Sequence, residues 1–153
     1  NYFSATKKFN CKTTIIRPSN IYGPWQNPYG EAGVVSIFAE KMLKNENVSI
    51  FGNGDEYRDY IYVDDVVDFV FKIINSKENG TFNISSGKST KTIEIFDYIS
   101  SIIGYKKPPI FLEKREGDIF GIEIDNSKSK SIGWSPKYNL KTGLENTVNF
   151  LKR

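Results

Sequence analysis

The sequence contains no histidine and only one cysteine, Cys11, and these shortages exclude several kinds of chemistry. Histidine is the usual general base near neutral pH, so its absence argues against a histidine-dependent catalytic triad. A single thiol cannot build a disulfide framework, and without histidine it cannot complete a common zinc site. We therefore expect no metal site, and we expect any chemistry to use Tyr, Lys, Ser, Asp, Glu or a bound cofactor.

Long apolar runs and a large charge excess are also missing. No stretch approaches the roughly 20 apolar residues that span a bilayer. Charged residues make up 25% of the 153 positions with a net charge of +3, which does not predict nucleic-acid binding but suits a small anionic ligand. We expect a single domain by length, no membrane or nucleic-acid partner, and a cytoplasmic location. Because the first residue is not Met, we also expect the chain to begin inside a larger protein.

Apolar residues recur at spacings that predict alternating strands and helices, which is typical of the α/β class. The run 11–18 is short and rich in β-branched residues, so it predicts a buried strand. Further strands are predicted at 48–51, 57–63 and 81–85. Helices are predicted at 34–44, 65–77, 93–104 and 140–153, and a shorter one is predicted near 127–133.

The predicted helix at 65–77 carries two detailed expectations. Asp64 or Asp65 is expected to cap its N-terminus, where carboxylates also complement the helix dipole. Its apolar positions at helical spacing are Val66, Val67, Val70, Phe71 and Ile74. In the last predicted helix, Gly143 should reduce stability by roughly 1 kcal/mol relative to Ala.

The segment RPSNIYGP, residues 17–24, follows the first predicted strand and has two interpretations. Ligands of open α/β sheets bind beyond the carboxyl ends of the strands, so the Asn20 amide is placed to contact one. Asn, Gly and Pro are also the commonest turn formers, and these eight residues alone favour an ordinary turn.

The segment GNGDEYRDYIYVDD, residues 52–65, places Arg58 after a glycine-rich turn. A guanidinium group matches phosphate oxygens, so Arg58 can bind an anion. The alternative is a salt bridge to Asp59 or to the pair Asp64 and Asp65, and the segment alone favours neither.

A second basic and acidic pair lies in REGD, where Arg115 could hold a phosphate and Asp118 a sugar hydroxyl. Taken alone, REGD is typical of a surface turn. Phe51 and the aromatic residues of YRDYIY could stack on a base, but aromatic residues that alternate along a strand more often pack in the core.

In this order, the segments resemble the carboxyl-terminal half of the nucleotide-sugar epimerases and dehydratases of the extended short-chain dehydrogenase/reductase family. The segments are RPSNIYGP, SIFGNGDEYRDYIYVDDVV, GTFNISSGKSTKTIEIFDYI, REGD and IDNSKSKSIGWSPKYNLKTGLENTVNFL. The resemblance covers essentially the whole chain and is strongest to the branch that epimerises UDP-glucose at C4. It implies that residues 1–30 end a Rossmann-type doubly wound domain. Residues 31–153 then form mainly a smaller α/β substrate-binding domain, with short segments that return to the Rossmann part.

The resemblance also implies roles for individual residues. Pro18 and Ser19 match the strand end that lies against the nicotinamide of NAD, and Asn20 matches an asparagine that binds the diphosphate of a UDP-sugar. Tyr60 and Tyr62 match packing positions. The other implied contacts to the nucleotide sugar are Val34 in the segment closing over the nucleotide, Ser49 and Phe51 at the uracil edge, Arg58 as a phosphate clamp, and Arg115 and Asp118 at the second phosphate and the ribose.

Two motifs of the family have no counterpart in this sequence. These are the G-x-x-G-x-x-G turn that holds the cofactor pyrophosphate and the Tyr-x-x-x-Lys pair that supplies the catalytic base; Tyr2 is followed four positions later by Thr6. We expect both motifs upstream of this chain, which alone should therefore be inactive and bind NAD poorly. The resemblance implies that the full-length protein is an NAD-dependent UDP-sugar 4-epimerase and a homodimer. A 4,6-dehydratase, a decarboxylase and a non-catalytic nucleotide-sugar binding module stay open as alternatives.

Overall fold

The computed structural model describes residues 13–29, 33–117 and 119–153. The strands are β1 Thr14–Pro18, β2 Asn20–Tyr22, β3 Ser49–Phe51, β4 Tyr57–Tyr62, β5 Gly80–Ile84, β6 Ser89–Lys91, β7 Ile110–Leu112 and β8 Gly121–Ile122. The helices are α1 Val34–Leu43, α2 Val63–Ile74, α3 Thr92–Ile103, α4 Ser127–Ser131 and α5 Leu140–Leu151. The protein therefore has the α/β class that the apolar periodicity predicts.

Strand β4 is the centre of the strand pairing. It pairs in parallel with β2 and β8 and antiparallel with β6. Strands β1 and β5 form a separate parallel pair, in which Pro18 lies opposite Ile84 at the carboxyl ends. Strands β3 and β7 form another parallel pair.

Two hydrophobic cores meet at β4, because side chains alternate between the faces of a strand. Tyr60 and Tyr62 belong to the first core, with buried residues of α1, α3 and α5. Ile61 belongs to the second core, whose other buried members are Val66, Phe69, Phe82, Ile84 and Trp134. The packing role predicted for Tyr60 and Tyr62 is confirmed, since they are 7% and 4% exposed.

Only part of the predicted apolar face of α2 is buried. The helix buries Val66 and Phe69, whereas Val67, Phe71 and Ile74 are 45%, 64% and 71% exposed. The apolar residues of α2 cover one broad arc of the helix, and helical periodicity alone does not show which part of this arc packs on the sheet.

The predicted capping role of Asp64 or Asp65 is wrong. The helix begins two positions earlier than predicted, with Tyr62 as its N-cap, and both carboxylates lie in the first turn. Asp65 is buried and accepts hydrogen bonds from the backbone N–H groups of Lys137 at 2.7 Å and Tyr138 at 3.3 Å. Its carboxylate therefore joins α2 to the segment that leads into α5.

Gly143 allows close packing between α5 and the aromatic residues of the first core. A Cβ atom at this position would overlap the hydroxyl oxygen of Tyr22 and would lie 2.8 Å from its Cζ atom. The helix therefore contains a glycine because nothing larger fits against Tyr22. In the described ranges, no helix has both the length and the apolar character required to cross a membrane.

Candidate functional site

A cavity of about 630 Å³ lies between α1, β3 and the start of β4. Its walls contain every residue predicted to contact a nucleotide sugar that falls in the described ranges. These residues are Asn20, Val34, Ser49, Phe51, Arg58 and Arg115. Asp118 lies outside the described residues. The fold thus gathers at one cavity residues that are almost 100 positions apart in the sequence.

Strand pairing explains how the polar residues reach the same wall. Asn20 begins β2 and lies opposite Tyr60 on β4. Arg58 is two residues before Tyr60 on the same strand, so both side chains leave the same face. On the opposite wall, Val34 begins α1 and Ile37 follows one helical turn later.

The Arg58 guanidinium forms hydrogen bonds only with backbone carbonyl groups in the described part of the chain. Its Nη1 donates to the carbonyl oxygen of Tyr57 at 2.8 Å and to that of Phe120 at 3.4 Å. These contacts fix the direction of the side chain but contribute no negative charge. A guanidinium held at the edge of a cavity without a carboxylate partner is suited to bind an anion.

The alternative interpretation of Arg58, a salt bridge to a neighbouring carboxylate, is wrong. Asp59 is fully buried, and its carboxylate accepts hydrogen bonds from Ser19 and from the loop after β5. Asp65 is bound by the backbone of 137–138, and no ion pair joins Arg58 to Asp64 in the described residues.

Arg115 reaches the cavity by stacking on Phe51. Its guanidinium carbon lies 3.7 Å from the centroid of the Phe51 ring, which is the geometry of a cation–π contact. The exposed Arg115 side chain is therefore directed by an aromatic residue at the end of β3. The same contact occupies one face of the Phe51 ring, so this face is not free to stack on a base.

Glu56 and Lys41 also line the cavity, and neither was predicted from the sequence. Glu56 Oε1 lies 3.6 Å from Lys114 Nζ, whereas its Oε2 is buried and accepts no hydrogen bond from any described residue. Two spacings could have found these residues. Glu56 is two positions before Arg58, and Lys41 is seven positions after Val34, on the same helical face.

Tyr60 closes the inner end of the cavity as a neutral phenol. Burial raises its pKa to about 12, so the hydroxyl keeps its proton at neutral pH. Its ring packs edge-on against Tyr22, with 6.3 Å between the ring centroids. The residue therefore offers a hydroxyl group and a ring edge, and it is not a general base at neutral pH.

Pro18 and Ser19 lie beside this cavity, at the carboxyl end of β1. The Ser19 N–H donates to the carbonyl oxygen of Ile84 at 2.8 Å, and the Ser19 hydroxyl donates to Asp59 at 3.0 Å. The Ser19 hydroxyl proton is thus committed within the protein. A ligand could therefore contact the surface of this strand end, and it could donate a hydrogen bond to the Ser19 hydroxyl oxygen.

A larger groove of about 750 Å³ runs beside α2 and contains none of the predicted site residues. It is lined by Phe71, Lys72, Trp134 and their neighbours, where an apolar side of α2 is uncovered. We place the candidate site in the smaller cavity, since two guanidinium groups, an amide and a carboxylate line it and the groove beside α2 has no such set. Within the described ranges, no group of three potential His, Cys, Asp or Glu metal ligands comes together.

The parallel strand pairs and their helices have the architecture of the Rossmann-type epimerases among solved structures. The model of the NAD dependent epimerase/dehydratase family matches residues 3–85, and the chain belongs to this family. It is 40% identical to the UDP-glucose 4-epimerase of Mycolicibacterium smegmatis over 94% of this chain and 47% of that protein.

Solved structures of UDP-glucose 4-epimerases also match this chain. The UDP-glucose 4-epimerase of Thermotoga maritima, crystallised with UDP-glucose, has 42% identity and a TM-score of 0.92, covering 99% of this chain and 50% of that one. The Thermus thermophilus UDP-glucose 4-epimerase, crystallised with NAD, has 32% identity and a TM-score of 0.85, again over 99% and 50%. The chain therefore spans about half the length of these relatives.

Proposed function

We propose that this chain is the nucleotide-sugar-binding, carboxyl-terminal half of an NAD-dependent UDP-sugar 4-epimerase, with UDP-glucose and UDP-galactose as its sugars. The observation that carries the proposal is the cavity itself. Asn20, Arg58 and Arg115 meet there, and Arg58 has no carboxylate partner among the described residues. A diphosphate supplies the negative charge and the acceptor oxygens that this set of donors lacks.

The relatives favour an epimerase over the alternatives. Proteins named UDP-glucose 4-epimerase match at 40% and 42% identity. The UDP-glucuronic acid decarboxylase of Xenopus tropicalis matches at 24%. The non-catalytic binding module is a weaker alternative, since the relatives at 32% to 42% identity described above are named as epimerases.

In this proposal each wall of the cavity has one task. Asn20, Arg58 and Arg115 bind the diphosphate, while Val34 lies in the segment that closes over the nucleotide. Ser49 and the backbone of Phe51 hold the uracil edge, and Asp118 binds the ribose with Arg115. Glu56 adds a carboxylate to the lining of the cavity.

The proposal assigns the cofactor to the edge beyond β1 and β5. Ligands of parallel sheets bind beyond the carboxyl ends of the strands, and Pro18 and Ile84 end this pair side by side. Pro18 and Ser19 would form one wall for the nicotinamide, and the upstream half would supply the glycine-rich turn and the catalytic pair. NAD bound at this edge would supply the hydride chemistry at the sugar C4. The homodimer and the cytoplasmic location expected from the sequence belong to the same proposal.

Calorimetric titration of UDP into the chain tests the phosphate role of Arg58. We expect Arg58→Ala to weaken UDP binding about 10- to 150-fold, because it removes a charge-assisted hydrogen bond worth roughly 1.5 to 3 kcal/mol. Arg17→Ala is the matched control, since Arg17 is exposed on β1 and does not line the cavity. It removes the same charge and should leave UDP affinity within about twofold. Equal affinities for wild type and Arg58→Ala would contradict the phosphate clamp.

An activity assay tests the assignment of catalysis to the upstream half. The chain alone, mixed with UDP-glucose and NAD, should form no UDP-galactose above the blank. A protein that carries both halves should show turnover. Turnover by the chain alone would show that the catalytic base lies within these 153 residues, contrary to the proposal.

A further inference from the structure

Strand β4 has a buried carboxylate on the face opposite the cavity. Arg58 points towards the cavity, and the next residue, Asp59, points away from it and is 0% exposed. Asp59 Oδ1 accepts hydrogen bonds from the Ser19 hydroxyl at 3.0 Å and from the Ser86 N–H and hydroxyl, both at 2.9 Å. Asp59 Oδ2 accepts from the Gly87 N–H at 2.9 Å. Both carboxylate oxygens are therefore bound by neutral donors.

The donors come from the ends of two neighbouring strands. Ser19 directly follows β1, and Ser86 and Gly87 lie in the loop after β5. The two strand ends are also joined directly by the hydrogen bond from the Ser19 N–H to the Ile84 carbonyl oxygen. The Asp59 carboxylate thus ties the carboxyl edge of the β1–β5 pair to the middle of β4, and it is a polar connection between the two cores.

Asp59 and its partner Ser19 are each adjacent in sequence to a cavity residue. Asn20 follows Ser19, and Arg58 precedes Asp59. Both residues face the cavity while their neighbours are held by one carboxylate. Fixing adjacent backbone positions limits how far the Asn20 amide and the Arg58 guanidinium can move relative to each other.

We infer that Asp59 is a positioning residue that sets the spacing between Asn20 and Arg58 so that both bind one diphosphate. This inference rests on the proposed function for the identity of the ligand, while the spacing itself is a property of the chain. A carboxylate is required because all its partners are donors. An amide in its place would turn an N–H₂ group towards a donor, which leaves one anchored segment without its acceptor.

Asp59→Asn tests the inference, with Asp65→Asn as the matched control. Asp65 is an equally buried carboxylate that accepts backbone N–H groups, but its partners do not line the cavity. Both variants should melt at a lower temperature than the wild type. We expect Asp59→Asn to weaken UDP binding about 10-fold, since a misplaced amide loses its bond to the diphosphate. Asp65→Asn should retain the wild-type affinity.

A comparison of UDP with UMP separates positioning from a general loss of structure. A spacing fitted to a diphosphate matters less for a single phosphate, so Asp59→Asn should reduce the preference for UDP over UMP. A merely structural role would weaken both ligands equally, and this result would overturn the inference. If Asp59→Asn does not fold, Ser86→Ala is the second variant. It removes only the Ser86 hydroxyl donor and should reduce the preference for UDP over UMP to a smaller extent.

NMR of the free chain tests the positioning role of Asp59 without UDP, and so independently of the proposed function. In NMR spectra of the free chain, the side-chain amide resonance of Asn20 should shift or broaden in Asp59→Asn and stay in place in Asp65→Asn. Absence of UDP binding by the wild type would refute the proposed function, and the Asn20 resonance would then decide the positioning role. An unmoved Asn20 resonance in Asp59→Asn would overturn the inference in either case.

Discussion

The two hydrophobic cores share β4 but differ in how completely this chain covers them. The first core is enclosed by α1, α3 and α5, and its buried members include Phe38, Ile99 and Leu144. The second core rests on the β1–β5 pair and α2, and Phe71 and Ile74 on α2 are exposed. The first core is thus covered by helices of this chain, whereas α2 beside the second core has apolar surface that no described residue covers.

The difference explains which part of the candidate site this chain holds. The cavity lies within elements that border the first core, so this chain supplies its lining. The proposed cofactor edge belongs to the β1–β5 pair of the second core. The chain spans about half the length of the matched relatives, and we propose that the upstream half of the full-length protein covers the second core.

The sharpest test of this comparison is a pair of substitutions on α2. Phe69→Ala removes a ring that is 0% exposed, and we expect it to reduce the free energy of unfolding by about 3 to 5 kcal/mol. Phe71→Ala is the matched control on the same helix, with a ring that is 64% exposed, and it should change stability by no more than about 0.5 kcal/mol. Urea unfolding of the three proteins measures both values.

A large decrease in the free energy of unfolding of Phe71→Ala would show that the Phe71 side of α2 is covered in solution, for example by a second copy of the chain. Such a result would remove the contrast between the two cores. If Phe69→Ala does not fold, its loss of stability exceeds the stability of the wild type, which agrees with the expected direction. In the full-length protein, the cost of Phe71→Ala should rise if the upstream half covers this side of α2.

Gly143→Ala tests how tightly the first core is packed. A Cβ atom would overlap the Tyr22 hydroxyl oxygen, so we expect a loss of about 1 to 3 kcal/mol from overpacking. Helix propensity alone predicts the opposite sign, a gain of roughly 1 kcal/mol for Ala over Gly in an exposed helix interior. Thermal or urea unfolding of the single variant distinguishes these two results.

The Tyr22→Phe background provides the control for this prediction. Removal of the hydroxyl group relieves part of the overlap, so Gly143→Ala should cost less in Tyr22→Phe than in the wild type. Tyr22→Phe alone removes the hydrogen bond from Tyr22 to the Leu140 carbonyl oxygen at 3.3 Å, and its own cost must be subtracted. A stabilising Gly143→Ala would mean that α5 can move away from the sheet and that the first core is less rigid than described.

The bounds of two helices could be predicted from the local sequence. Helix α1 begins at Val34 and has Lys44 as its C-cap, as the predicted range 34–44 requires, and α3 ends at Gly104, which adopts the left-handed conformation expected of a C-terminal stop. The predicted substrate residues were identified through family motifs, and the fold brings their described members to one cavity. Their binding roles stay predictions.

Other features depend on contacts that no local pattern reveals. The short strand β6 lies outside the predicted strands and forms by pairing with β4, where Thr90 lies opposite Arg58. Asp65 resembles a helix cap locally, but its partners lie 72 and 73 positions further along the chain. Gly143 was predicted to weaken α5, and its packing against Tyr22 becomes visible only when the helix is docked on the sheet.

The smallest expected effect concerns Asp65, which connects the two cores through the backbone of Lys137 and Tyr138. Burial raises the pKa of Asp65 above its ordinary value, and the two backbone hydrogen bonds only partly oppose this shift. Since the folded pKa is higher than the unfolded pKa, Asp65 stabilises the fold most below the unfolded value of about 3.9. Its contribution decreases as the pH rises through the folded pKa. The neutral variant Asp65→Asn lacks this dependence, so its stability relative to wild type should improve from pH 3 to pH 7.

Asp125→Asn is the control, because its dependence on pH has the opposite sign. Hydrogen bonds from the Ser127 N–H and hydroxyl hold the pKa of Asp125 below its ordinary value. Asp125 therefore stabilises the fold above the unfolded pKa and loses this contribution as the pH falls. Relative to wild type, Asp125→Asn should become less stable from pH 3 to pH 7, while Asp65→Asn changes in the other direction. If both variants changed in the same direction, the backbone hydrogen bonds to Asp65 would outweigh its burial, and the connection between the cores would favour the ionised carboxylate.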